Sequence, residues 1–176
     1  MVAIAGACFA FWQGWISRDT ERRSLRPYVY VSSRPITGFN PGEIIKGSYA
    51  VLNGGGTPAY GVEDTIHIKT LPFPLSHDIA KEATPVNTKS NASYLFKDMQ
   101  LTIDVTGMNP PRPLTADESE ALLNETTTRI YVWGEITYHD IFGISHWTNY
   151  CVVMDGAAVR EGKTPPCDQH NDADER

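Results

Sequence analysis

The chain is poor in cysteine. Its three cysteines are too few for a disulfide scaffold. Cys8 lies in an apolar N-terminal stretch, which leaves only Cys151 and Cys167 to pair with each other. They could do so in an oxidising compartment, but the count alone leaves the compartment open. G-x-S-x-G, the turn that presents a nucleophilic serine, does not occur. Basic charge is also short: 15 Lys and Arg stand against 21 Asp and Glu, a net charge of −6. That argues against a general nucleic-acid binder, which needs a basic surface to meet phosphate. With 41% hydrophobic and 20% charged residues, the composition is that of a folded chain rather than a disordered one. At 176 residues it reads as one domain with extra segments.

Long apolar runs are scarce as well, with one exception. "MVAIAGACFAFWQGWIS" is apolar from Met1 to Ile16 except for Gln13. A membrane span takes roughly 20 apolar residues, so this run is slightly short, and a start upstream of Met1 would lengthen it. A signal peptide would have a basic segment before the run and a small-residue cleavage site after it, and neither is present. A buried core helix would be apolar along one stripe, whereas this run is apolar all round. Trp12 and Trp15 precede a cluster of arginines, the order expected where a span meets the membrane surface. The reading is a membrane-anchor helix over 1–17 and a basic juxtamembrane stem over 18–26. Positive-inside reasoning then places the following domain in the cytoplasm.

Beyond the stem the pattern is β. Strands are expected at 27–33, 43–53, 60–70, in "ASYLFK" and "QLTIDV", and at 128–139 and 144–154, from β-branched and aromatic residues in alternation between turn signals. One helix stands out, "LTADESEALLNE" (114–125), with Thr115 as N-cap and Glu118 completing a capping box. The expected fold is mainly β: an antiparallel, immunoglobulin-like β-sandwich of about seven strands over 27–155. It carries one short helix and the N-terminal transmembrane helix. The Cys…Trp…Cys spacing of true immunoglobulin domains is absent. Residues 156–176 read as an acidic, loosely ordered tail.

Three stretches invite a chemical reading. "NGGGTPAYGV" (53–62) follows a strand but lacks both the Lys-Ser/Thr of a P-loop and G-x-G-x-x-G, so its glycines are read as turn residues supplying positive φ. "CDQH" (167–170) is one half of a zinc-like pattern and needs two further ligands. "ITYHDIFGISHWTNYC" (136–151) holds His139, Asp140, His146 and Cys151. A two- or four-residue turn centred between Ile141 and Phe142 would set Ile136 opposite Trp147 and Val132 opposite Cys151. His146 and Cys151 would then point to opposite faces and could not share a metal. His139 and His146 would be diagonal neighbours on the polar face with Glu135 one step along, a possible surface metal site outweighed by ordinary exposed polar residues. Asp140 and Gly143 are turn residues.

"ERRSLRPYVYV", "NGGGTPAYGV", the 130–151 hairpin and the closing "C..HNDAD" (167–174) together resemble a group of uncharacterised bacterial membrane proteins with one N-terminal span, a stem and a β domain. The matching pieces cover 25–33, 50–62 and 130–174, and the stem here is shorter than in many members. The resemblance implies a single-pass protein of the bacterial inner membrane and transfers no catalytic residue. The sequence reading is therefore a membrane-tethered, non-enzymatic interaction or structural module with no cofactor. Its partners would be the membrane, through the N-terminal helix, and proteins, through sheet edges or loops. The alternative is a metal-binding module or metal-dependent enzyme using His139, His146 and Glu135. A secreted domain with a Cys151–Cys167 disulfide is the third possibility.

Overall fold

A computed structural model describes residues 12–13, 16–82, 88–107, 111–124 and 127–174. Helical residues 16–24 (α1) lead into seven strands: β1 (Val29–Ser33), β2 (Lys46–Asn53), β3 (Ala59–Pro72), β4 (Thr88–Leu95), β5 (Gln100–Thr106), β6 (Thr128–His139) and β7 (Ser145–Met154). A 3-10 turn, Ile79–Lys81, follows β3; α2 (Ala116–Leu123) precedes β6, and α3 (Gly156–Glu161) follows β7. All pairings are antiparallel. One sheet has the order β1-β2-β5 and the other β4-β3-β6-β7. The inner faces of both sheets feed one core, in which Val51 and Ile103 meet Val62, Ile66 and Ile136.

The strand positions follow the sequence pattern closely, but the architecture is corrected. The described residues form two open antiparallel sheets and three helices in place of an immunoglobulin-like sandwich with a membrane helix. Its disulfide, Cys151–Cys167, ties β7 to the tail on the outer face of the four-stranded sheet and does not bridge the two sheets. Strand β6 is buried on both faces. A second core of Leu71, Ile79, Tyr131, Trp133 and Cys151 lies on that outer face, under the 73–82 loop and the returning tail.

The anchor is corrected too. Among the described residues no helix is long and apolar enough to cross a membrane. Residues 1–11, 14 and 15 of the expected 1–17 anchor lie outside the described residues. The helical run 16–24 carries Arg18, Asp19, Glu21, Arg22 and Arg23, a charge on every turn that hydrocarbon would exclude. The single-pass anchor, the inner-membrane location with its cytoplasmic domain, and the membrane as a partner are withdrawn on this finding.

Helix α2 has the cap the sequence signalled. Thr115 Oγ1 accepts from the Glu118 amide at 3.2 Å, and the Glu118 carboxylate accepts from the Thr115 amide at 2.9 Å. Thr115→Ala should cost about 1 kcal/mol in chemical denaturation. A loss indistinguishable from zero would mean that packing of Leu122, not the cap, sets this helix end.

The tail differs from the loose segment its composition suggested. Residues 165–174 run back along the outer edge of β7. The Asn149 amide donates to Asp172 O (2.8 Å), the Val153 amide to Pro165 O (2.9 Å) and the Cys167 amide to Cys151 O (3.0 Å). A free strand edge is a template for pairing with another chain, and here the protein covers it with its own C-terminal segment.

Candidate functional site

The 136–151 hairpin turns through three residues, not two or four. The Asp140 amide donates to Ile144 O and the Gly143 amide to Asp140 O, both at 3.0 Å, and Gly143 has φ +77°. This is a tight turn closed by a left-handed residue, a geometry that glycine adopts without strain. The odd loop length shifts the register by one: Tyr138 pairs with His146 and Trp133 with Cys151. A one-residue shift turns every β7 side chain to the other face. His146 goes inward, and Cys151 goes outward into the second core.

The metal alternative therefore loses its geometry. Glu135 is exposed on the outer face, His139 is exposed on that same face of β6, and His146 is 3% exposed on the inner side. Among the described residues no group of three or more His, Cys, Asp or Glu is placed to hold a metal ion. Cys167 of "CDQH" is consumed by the disulfide.

What His146 meets instead was not visible in the sequence. Its Nδ1 lies 2.8 Å from Asp174 Oδ2 and its Nε2 lies 3.2 Å from Asp140 Oδ2. Asp174 also pairs with Arg26, whose guanidinium donates to the Asp174 carbonyl at 2.8 Å. All four side chains are nearly closed to solvent, at 2–7% exposure. Burial raises the Asp140 carboxyl, but hydrogen bonds from the Ile144 amide, His146 and the Phe142 amide outweigh it and hold it below the usual carboxylate range. The His146 ring thus lies between two carboxylates, one of which also holds Arg26. The set joins the stem (Arg26), the hairpin turn (Asp140), β7 (His146) and the tail (Asp174). It is a clasp between four segments, nearly closed to solvent.

"NGGGTPAYGV" serves the same clasp. Asn53, 1% exposed, accepts from the Gly55 amide and donates to Thr57 O and Leu95 O. Gly54, Gly55 and Gly56 do not have positive φ, whereas Gly61 of the same stretch does, at +55°. A Cβ on Gly55 would sit 2.4 Å from Arg26 O and 2.5 Å from Pro27 Cα, so this glycine is needed for close approach of the Arg26–Tyr28 backbone.

On the 73–82 loop, Ser76 Oγ lies 3.3 Å from His77 Nδ1, and His77 Nε2 lies 2.7 Å from Glu82. Lys69 also binds Glu82. Hydrogen bonds from Lys69 and then His77 lower the Glu82 carboxyl. His77 is 44% exposed. This Ser-His-Glu succession is solvated, and Ser76 is the immediate chain neighbour of His77, so water competes for every contact.

Among the described residues, one open concave feature is a cleft of about 610 Å³ on the outer face of the four-stranded sheet. Its floor is the paired residues Glu135 and Asn149. One wall is the 3-10 turn, with Asp78 and Ala80; the other is the tail, Asp168 to Asp172. Four carboxylates line it, and no lysine or arginine does. Two other hollows of similar size are each lined by a single segment, 37–46 and 155–165. The cleft alone among these three is assembled from separate parts of the chain. Its tail wall is fixed three times: by the disulfide, by Asn171 accepting from the Cys151 amide (2.9 Å), and by Asp172 accepting from Asn149 (3.0 Å).

Comparison with protein-family models, curated proteins and solved structures finds no match to the chain. The resemblance to membrane-anchored bacterial proteins is corrected accordingly: no family identity supports it, and no spanning helix stands among the described residues.

Proposed function

We propose that the chain is a non-catalytic binding domain working in an oxidising compartment, and that it takes a small polar ligand bearing positive charge in the cleft on the outer face of its four-stranded sheet. The observation that carries this reading is the cleft's construction: two strands form the floor, and separate segments form the walls, the tail wall tied down by a disulfide. A preorganised concave site lined by convergent polar groups is how ligand sites are built. The disulfide supports the compartment, since such bonds persist where thiols are not kept reduced. The lining of carboxylates supports the ligand's sign, because like charges gathered at one site favour a cation between them. Burial of the Asp140–His146–Asp174 set supports a role outside catalysis.

The test is an amide NMR titration with three probes: Nα-acetyl-arginine amide, Nα-acetyl-glutamate and a neutral disaccharide. The arginine compound should shift the amides of Glu135, Asn149 and Asp168–Asp172, and Glu135→Gln with Asp168→Asn should weaken it about tenfold, the equivalent of ~1.4 kcal/mol. Perturbations that map elsewhere, or that survive the double substitution unchanged, would refute the site.

A further inference from the structure

A second titratable group is buried at the joint between the two sheets. Asp64 sits on β3 and points into the shared core, 2% exposed. Its partners come from both layers. Tyr49 of β2, in the three-stranded sheet, donates its hydroxyl to Oδ2; Tyr150 of β7, in the four-stranded sheet, donates to Oδ1 at 3.1 Å. The two rings lie 5.9 Å apart. Gly134, paired with Tyr150, makes room for this: a Cβ there would meet Thr65 O at 2.0 Å and the Tyr150 hydroxyl at 2.6 Å.

The contrast with the clasp is in the partners. Asp174 faces a guanidinium and an imidazole, whereas the groups acting on Asp64 are two neutral hydroxyls. Ser90 of β4 acts on Tyr49, and the Thr65 carbonyl accepts from Tyr150 at 3.3 Å. No cation from β2, β4, β6 or β7 bears on the carboxyl among the described residues. A buried carboxylate with only neutral donors is disfavoured in its charged form.

We propose that Asp64 is a proton-operated joint between the sheets, tight while its carboxyl is protonated and loosened when the carboxyl ionises. Protonated, the group is neutral and still hydrogen-bonded to both tyrosines. Ionised, it leaves in the core a negative charge that two neutral hydroxyls support but no cation pairs. Desolvation moves the carboxyl from 3.8 up to about 6, with the Tyr49 and Tyr150 hydrogen bonds opposing the rise. Burial, followed by the Asp64 charge, pushes both tyrosine hydroxyls upward, so they stay protonated and act only as neutral partners. The folded value lies above the unfolded one, so the folded state binds the extra proton between them. This contribution to stability is complete below about pH 4 and is lost as pH rises through about 6.

The experiment compares urea unfolding of the intact chain and of Asp64→Asn at pH 4.5, 6 and 7.5. The unfolding constant of the wild type should rise by about 25-fold across the series relative to the variant, which keeps an uncharged acceptor. Parallel pH profiles would overturn the proposal. Should Asp64→Asn not fold, a carboxyl ¹³C titration of the wild type decides the matter: a transition near pH 6 supports the joint, and one near pH 4 overturns it.

Discussion

Asp174→Ala is expected to cost 3–5 kcal/mol of folding stability, the range found when one partner of a buried ion pair is removed (~3–5 kcal/mol). The reason is what stays behind. Arg26, its side chain 7% exposed, would lose the carboxylate it pairs with, and His146 would lose its Nδ1 acceptor. The Trp147 amide, 3.3 Å from Asp174 Oδ1, would lose an acceptor as well. In urea this amounts to a midpoint shift on the order of 2 M. Asp172→Ala is the natural control. It lies two residues away in the same tail, but its bond to Asn149 is exposed, so it should cost no more than about 1 kcal/mol. Equal losses for the two variants would mean that the clasp contributes nothing beyond general tail attachment. An Arg26→Ala, Asp174→Ala double-mutant cycle isolates the pair, and a coupling energy near zero would reject it.

That clasp also marks where reading the sequence stops working. Each of its members stood in a stretch that drew attention: Arg26 in the basic stem, Asp140 and His146 in the hairpin, Asp174 in "C..HNDAD". The strands were legible because alternation of β-branched and aromatic residues is a local signal. The capping box of α2 was legible for the same reason. Register was not, because it hinged on the parity of one loop. A two- or four-residue turn gives His146 an outward place beside His139; the three-residue turn closed by Gly143 sends it inward to Asp174. Period-two geometry turns that single residue into a complete exchange of faces. Glycines at 54–56 were recognised as turn material, but the close approach of Arg26–Tyr28 to Gly55 depends on a segment some thirty positions earlier. The tail misled for a similar reason. Acidic and proline-rich composition says nothing of Asn171, Asp172 and Asp174 finding β7 amides and side chains to hold.

Removing the disulfide, as Cys151→Ala with Cys167→Ala, should cost about 3 kcal/mol, the chain-entropy value for a loop of roughly 15 residues. The closed loop here has a sequence separation of 16. For a chain of this size that loss lowers Tm by roughly 6–12 °C. Cys151 is fully buried against the second core, so alanine also leaves a small void beside Trp133 and Tyr131 and adds to the loss. Thermal unfolding of wild type with and without reductant separates the two contributions, since reduction breaks the bond and keeps the sulfur volume. The thiol count fixes the chemistry independently: a denatured chain should titrate one thiol before reduction and three after. Three thiols before reduction, in protein recovered from an oxidising compartment, would remove both the bond and the compartment argument. The tail wall of the cleft begins one residue beyond Cys167. The reduced protein should therefore lose affinity for a cationic ligand before it loses its fold, because Asp174 still pins the tail's far end through Arg26 and His146. Undiminished binding to the reduced, folded protein would show that the floor residues Glu135 and Asn149 suffice and that the wall takes no part.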